Sequence, residues 1–312
     1  MKSNKVAVIG AGAVGTSIAF DLIIQGICNE LLIIDINKPK AESEVLDLKH
    51  CTAYSNTSIK IKAGDYSECT DMDIIVITAA APLIKGQTRL DMLETAKKIT
   101  KSIIDPIMES GFNGHFIIVT NPVDIISYYV YKLSGLPKNK IIGTGTALDS
   151  ARLKVFLADL IGVEANSVQA SAIGEHGDSQ FIPWSTVSIG GKSFEDILID
   201  NKERLKSFNK ENTLEEIKKS GWKIADVKGT TNYGIAATTV DIIKAILNNE
   251  SKVIPVSALL EGEYGTNDVF VGVPAIINKT GISEIVELKL NDEETKAFNN
   301  SVDILKKYIA QL

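Results

Sequence analysis

Short, unbroken apolar runs recur along the first half of the chain: Val6-Ala7-Val8-Ile9, Leu31-Leu32-Ile33-Ile34, Ile74-Ile75-Val76-Ile77 and Phe116-Ile117-Ile118-Val119. Runs of this length, rich in β-branched residues and without alternation, predict strands buried on both faces. Residues 59–63 and Ile141-Ile142-Gly143 read as two further strands. Between the runs the apolar spacing turns helical. Ile18, Leu22 and Ile23 share a face that stops near Gly26, and a long helix is expected over about 90–110. Strands joined by helical connections make a doubly wound parallel sheet the economical architecture.

The rhythm changes near Gly145. Residues 146–152 open a helix that runs to about 161, and 168–173 read as a strand leading into a loop. The polar stretch 201–219 reads as exposed connection and helix, and 233–247 as a helix. Residues 252–260 and 269–277 predict antiparallel strands, with a third over 284–288. Asn291 caps a final helix with Glu293 and Glu294 in its first turn.

Composition narrows the function classes. The net charge, 33 minus 39, is −6, which leaves no basic footprint for nucleic acid or an anionic membrane surface. No apolar stretch approaches the roughly 20 residues of a membrane span. Cys28, Cys51 and Cys69 show neither disulfide nor metal spacing and fit a reducing cytosol. The chain enters its first strand at Lys5 with no signal peptide ahead of it, so a cytoplasmic protein without a metal is the expectation.

Chemistry enters at the first strand-to-helix turn, Gly10-Ala11-Gly12-Ala13-Val14-Gly15. Here G-x-G-x-x-G lies between a strand and a helix, and Asp35 ends the second strand 20 residues after Gly15. Gly10 permits the turn, Gly12 lets backbone approach a pyrophosphate, and Gly15 lets the helix pack closely. The helix N-terminus offers free N–H groups to phosphates. Asp35 can accept both ribose hydroxyls and would repel a 2′-phosphate, which favours NAD over NADP. The first half, residues 1–145, is therefore expected to be a Rossmann NAD-binding domain, and 146–312 an α+β substrate domain. Ligands of such sheets sit at the C-terminal strand ends, here Gly10, Asp35, Thr78 and Thr120-Asn121.

A second constellation is Gly174-Glu175-His176-Gly177-Asp178-Ser179, a histidine between two acids where a strand gives way to a loop. Such a histidine can exchange a proton near neutral pH. Asp149 and Arg152 are three residues apart at a helix start and project from one face. Taken singly, Asp149 is a helix cap and His176 a bystander. A third stretch, residues 79–89, is a loop with apolar content at the ligand edge of the sheet, ending in Arg89. It reads either as packing against the second half or as a lid that excludes water.

Together these pieces resemble NAD-dependent L-lactate dehydrogenases of the lactate/malate dehydrogenase superfamily. The residues that carry the resemblance are the glycine loop, Asp35, Thr120-Asn121-Pro122-Val123-Asp124, the run 143–152, the histidine loop 174–179, and Tyr264-Gly265 with Gly272-Val273-Pro274-Ala275. It spans nearly the whole chain with motif order kept. The resemblance implies that His176 donates a proton to the 2-oxo group and that Asp149 orients its ring. Arg152 would grip the substrate carboxylate, Arg89 polarise the carbonyl, Asn121 hydrogen-bond substrate and cofactor, and Thr231 line the pocket. Tyr66, Ala79, Ala80, Val119 and Thr144 fall at cofactor-contact positions beside Gly10, Gly12, Val14, Gly15 and Thr78. A homotetramer or homodimer is implied as well; the helices over 18–24 and after Asn37 are candidates for the interface.

Two departures from the pattern matter. Leu83 occupies the loop position where lactate enzymes usually have glutamine and malate enzymes arginine. Leucine offers nothing to a second carboxylate, and burying that charge unpaired would cost on the order of several kcal/mol. Malate dehydrogenase, the rival reading, is thereby disfavoured. Leu83 instead admits apolar side chains, each extra buried methylene adding about 1 kcal/mol, so the substrate is pyruvate or a larger 2-oxo acid such as 2-oxoisocaproate. The stretches 179–187, with Trp184, and 233–236 are similar to L-2-hydroxyisocaproate dehydrogenases, with Ala236 and Ala237 small enough to leave room. Finally, Lys154 and Gln169 stand where many bacterial relatives bind fructose 1,6-bisphosphate through arginine and histidine, so activation is expected to be weak or absent. A non-catalytic NAD-binding sensor, the rival of another class, would have lost His176, Asp149, Arg152 or Arg89, and all four are present.

Overall fold

The computed structural model describes residues 4–81 and 89–312, the side chains of 89–92 excepted. The first half alternates as expected: β1 (Lys5–Ile9), α1 (Ala13–Gln25), β2 (Glu30–Ile34), α2 (Lys38–Cys51), β3 (Lys60–Ala63), β4 (Ile74–Ile77), α3 (Arg89–Glu109), β5 (His115–Ile118), α4 (Val123–Ser134) and β6 (Ile141–Gly143). These six strands pair in parallel in the order β6-β5-β4-β1-β2-β3. Helices on both faces cover the sheet, so the apolar runs need no alternation. Ile18, Leu22, Ile23, Val6, Val8 and Val76 share the core on one face. Ile104, Ile107, Phe116 and Ile75 share it on the other.

The second half contains α5 (Ala147–Ile161), β7 (Val168–Gln169), β8 (Ser188–Ile189), β9 (Lys192–Ser193), α6 (Phe194–Asp200), α7 (Lys210–Lys228), α8 (Tyr233–Leu247), β10 (Lys252–Glu261), β11 (Asn267–Asn278), β12 (Gly281–Ile285) and α9 (Asp292–Ile309). β10 pairs antiparallel with β6 and continues through β11 to β12, so these strands extend the parallel sheet. Among the described residues nine strands thus form one sheet. This continuity brings the C-terminal end of β6, where the first half stops, against Ser257 of β10.

Two expected strands come out differently. The third C-terminal strand is 281–285 and not 284–288, because Gly281, at φ +90°, turns the chain back directly after β11. Over 168–173 only β7 pairs as a strand, in the small sheet β7-β8-β9; Ile173 and Gly174 then make single bridges to Phe181 and Gly272. Val168, Ala170, Ala172 and Ile173 of this run are buried, while Gln169 is exposed. Trp184 stacks on Phe194 and meets Phe208 edge-on in a satellite cluster, so its role is packing. Ala236 is buried in the main core and Ala237 is exposed. No helix of the described residues is long and apolar enough to cross a membrane.

Candidate active site

The glycine loop joins β1 to α1. Gly10 has φ +109°, a conformation that L side chains rarely adopt. A Cβ on Gly15 would stand 1.9 Å from the Gly10 carbonyl oxygen, so α1 can approach the loop only without one. Around Gly12 the space is open, with no atom within 4 Å of where a Cβ would stand. Thr78 Oγ1, at the end of β4, donates to the Ile9 and Gly10 carbonyls at 3.0 and 3.1 Å and pins the turn.

Asp35, after β2, accepts the Ala11 N–H at 2.7 Å through Oδ2 and the Asn37 N–H at 2.8 Å through Oδ1. Each oxygen keeps a lone pair for a ribose hydroxyl. No side chain caps the start of α1 and no acid lies in its first turn, so its N–H groups face the crevice with their partial positive charge. Val14, Ala79 and Val119 are half-buried, Ala80 is exposed, and Thr144 is buried with its N–H on the Ile118 carbonyl. Tyr66 is half-buried, and burial pushes its phenol up. Open space at Gly12, helix N–H groups without a side-chain cap and an acceptor at Asp35 fit a dinucleotide.

Of the expected site residues of the second half, Asp149 and Arg152 lie on α5 and His176 on the histidine loop, two segments far apart in sequence. Asp149, in the first turn of α5, is 1% exposed. Its Oδ2 is 2.7 Å from His176 Nδ1 and its Oδ1 accepts from Arg152 Nη1 at 3.0 Å. The bond from Nδ1 leaves His176 Nε2 as the ring nitrogen for a ligand. Burial pushes the Asp149 carboxyl up, but His176 and Arg152 outweigh it and hold the group below its usual range. Burial likewise pulls His176 down, and Asp149 outweighs it, with help from Asp124, so the imidazolium is favoured. Arg152 is flanked by Gly221 of α7: a Cβ there would stand 3.4 Å from the guanidinium.

The histidine loop is held at successive residues. Gly174 exchanges both backbone hydrogen bonds with Gly272 of β11 at 2.9 Å. The Glu175 N–H donates to Ser301 Oγ of α9 at 3.2 Å, and the His176 N–H to Asp124 Oδ2 at 2.8 Å. Asp124 in turn accepts from Ser257 Oγ at 2.5 Å. Burial pushes Asp124 up to about 6, against the Ser257 and His176 hydrogen bonds that lower it.

Of the expected site residues, Asp149 meets both His176 and Arg152 directly. Asn121 is exposed after β5, joined to Pro122 by a cis peptide. Thr231 is half-buried just before α8, where Asn232 Nδ2 donates to Ser17 Oγ of α1 at 2.8 Å. Leu83 and the loop around it lie outside the described residues, as does the side chain of Arg89, whose backbone begins α3. Sequence reasoning gave no role to Asp124, Ser257 or Ser301. Ser257 carries a visible signal, a hydroxyl inside an apolar strand, but its partner lies 133 residues away.

Residues 4–143 match the family model described as lactate/malate dehydrogenase, NAD binding domain, and residues 146–312 the one described as lactate/malate dehydrogenase, alpha/beta C-terminal domain. The chain is 48% identical over 307 residues to L-lactate dehydrogenase 3 of Bacillus thuringiensis subsp. konkukian, covering 98% of this chain and 97% of that one. It is 49% identical over 310 residues to an L-lactate dehydrogenase of Staphylococcus saprophyticus, covering 98% and 96%. A crystal structure of a minor L-lactate dehydrogenase from Enterococcus mundtii in its ligands-bound form superposes with a TM-score of 0.94 at 41% identity, over 99% of this chain and 98% of that one.

Proposed function

The chain belongs to the lactate/malate dehydrogenase family, and from that premise we propose an NAD-dependent L-2-hydroxyacid dehydrogenase of the L-lactate dehydrogenase type. It interconverts an apolar 2-oxo acid and its L-2-hydroxy acid. The observation that carries this reading is the contact chain Arg152–Asp149–His176.

Bound NADH supplies the hydride. Gly10, Gly12, Val14, Gly15, Asp35, Tyr66, Thr78, Ala79, Ala80, Val119, Asn121 and Thr144 would hold the cofactor. His176 then gives a proton from Nε2 to the oxo oxygen, and takes it back in the reverse direction. Asp149 fixes the ring and stabilises the imidazolium, as an acid behind a histidine does. Arg152 keeps guanidinium N–H groups beyond the one given to Asp149 and binds the substrate carboxylate with them. Asn121 hydrogen-bonds the substrate, Thr231 lines the pocket, and Arg89 stabilises charge developing on the carbonyl oxygen.

Leu83 selects against a second carboxylate, and so against oxaloacetate, and for pyruvate or larger aliphatic and aromatic 2-oxo acids. The test is kcat/KM with NADH for pyruvate, oxaloacetate, 2-oxoisocaproate and phenylpyruvate on one preparation. Preference for oxaloacetate would overturn the reading. Binding of NADH without turnover of any of the four would point to a sensor.

The assembly is a homotetramer or homodimer in the cytoplasm. Phe20 and Ile24 on α1, with Leu46 on α2, support this, since each stays at least 45% exposed on the single chain. The working division remains 1–145 for NAD and 146–312 for substrate. Lys154 has an ammonium pulled down by burial and then by Lys252, and Gln169 is exposed and uncharged. Such a pair supports weak or absent activation by fructose 1,6-bisphosphate.

A further inference from the structure

Asn232 directly follows Thr231 and stands at the N-cap of α8, yet its side chain makes no capping hydrogen bond. Asparagine is among the best N-cap residues, because its side chain can accept a free N–H of the first turn. Here the residue is 9% exposed and its side chain is engaged elsewhere. Oδ1 accepts from Lys228 Nζ in the last turn of α7, and Nδ2 donates to Ser17 Oγ of α1 at 2.8 Å. Ser17 Oγ donates in turn to the Ala13 carbonyl, in the first turn of α1, at 2.7 Å. An ammonium can only donate, so the amide oxygen must face Lys228 and the amide nitrogen must face Ser17. The Lys228 ammonium also lies 3.6 Å from the centre of the Tyr233 ring.

These bonds join the end of α7 and the start of α8 to the helix whose N-terminus would receive the cofactor phosphates. α1 and α8 also pack in one apolar core that includes Ile18, Leu22, Ala236 and Val240. Apolar packing is non-directional and leaves the register of two helices loosely set. A hydrogen bond fixes both distance and angle. Asn232 thus forgoes a local cap for a directional bond between helices, beside a residue of the substrate pocket. We propose that Asn232 is a positioning residue for that pocket: through Ser17 it sets the Thr231 segment in register with the cofactor helix. Thr231 is then held at one distance from a cofactor seated on α1. The inference rests on the dehydrogenase reading above, with Thr231 lining the pocket.

The experiment uses the full chain with Asn232→Ser, Ser17→Ala and the two combined, beside wild type. Serine still caps a helix but is too short to reach Ser17, and alanine is the better helix former on α1. Both single variants are therefore expected to melt within a few degrees of wild type. Steady-state kinetics at saturating NADH reads kcat and KM for the fastest of the four 2-oxo acids named above, and fluorescence reads NADH affinity. Each single variant should raise KM by about three- to tenfold, the size of effect expected from one neutral hydrogen bond. In each, kcat and the NADH dissociation constant should stay within about twofold of wild type. The double variant should be no worse than the weaker single one, because both substitutions remove the same bond. Unaltered KM in the single variants overturns the proposal. So does an additive rise in the double variant, an effect confined to kcat, or a loss that follows only melting or NADH binding. Ser17→Ala carries the test alone if Asn232→Ser does not fold, and unaltered KM there overturns the proposal as well. A wild type that turns over none of the four acids would instead sink the dehydrogenase reading, and this inference with it.

Discussion

Replacing Asp149 by asparagine tests the proposed proton-handling role of the His176–Asp149 pair most directly. The substitution is isosteric and the site is buried, so the fold tolerates it better than a truncation. What it removes is the charge 2.7 Å from His176 Nδ1, together with the acceptor 3.0 Å from Arg152. A hydrogen bond to a charged partner contributes roughly 1.5–3 kcal/mol. In the proposed mechanism imidazolium is the reactive form for reduction of the 2-oxo acid, so losing this bond lowers the fraction of enzyme ready to donate. Converted through the transition-state relation, about 1.5–3 kcal/mol is about 10- to 150-fold in kcat/KM at neutral pH.

The sign follows from the present shift. Asp149 holds His176 above its ordinary value, so without it the histidine deprotonates at lower pH. The alkaline fall of kcat/KM for pyruvate reduction therefore moves to lower pH in Asp149→Asn. Steady-state kinetics over pH 5–9 at saturating NADH reads both quantities. A loss below about threefold, or a profile that stays in place, would refute the assignment of Asp149 as the group that sets the protonation of His176.

Three further outcomes are expected. Gly12→Ala, placed in open space, should leave melting unchanged while raising the NADH dissociation constant at least about tenfold, about 1.4 kcal/mol; Gly15→Ala, whose Cβ meets a carbonyl at 1.9 Å, should also lower stability by about 1–3 kcal/mol, and equal melting of the two variants would count against the geometry. Asp124 is raised from 3.8 to about 6, so the folded chain holds this proton more tightly than the unfolded one. Its favourable contribution is complete below 3.8 and is lost as pH rises through about 6, an effect of about 3 kcal/mol. Urea unfolding should therefore show Asp124→Asn gaining on wild type by about that much between pH 4 and 7, and a constant difference would contradict it. Fructose 1,6-bisphosphate should leave half-saturation by pyruvate unchanged, and a several-fold decrease would show that Lys154 and Gln169 still make a site.

By itself the sequence determined whatever is encoded within one or two turns of chain. The parallel strands were legible because a strand covered on both faces is apolar at every position, as 74–77 is. The glycine loop was legible because its physical requirements, a positive φ at Gly10 and no Cβ at Gly15, fall within six residues. Helix ends were legible where Gly26 or Asn291 supplies the capping geometry. The family resemblance added roles for His176, Asp149 and Arg152, but composition and spacing alone left each as a bystander or a cap.

Tertiary structure decided the rest, because it depends on contacts between segments far apart in the chain. It placed Asp149 against His176, 27 residues on, and Asp124 behind the same histidine, 52 residues away. Folding also made the C-terminal hairpin an extension of the parallel sheet, a matter of which edge strand was free to pair. It set the charge states as well: a carboxyl is pushed up or held down by what surrounds it, and Asp124 and Asp149, both buried aspartates in the first turns of helices, end on opposite sides of the ordinary value. The difference is that Asp149 hydrogen-bonds an imidazole and a guanidinium, which outweigh its burial, whereas the Ser257 hydroxyl, the His176 main-chain N–H and the charge of His176 do not outweigh the burial of Asp124.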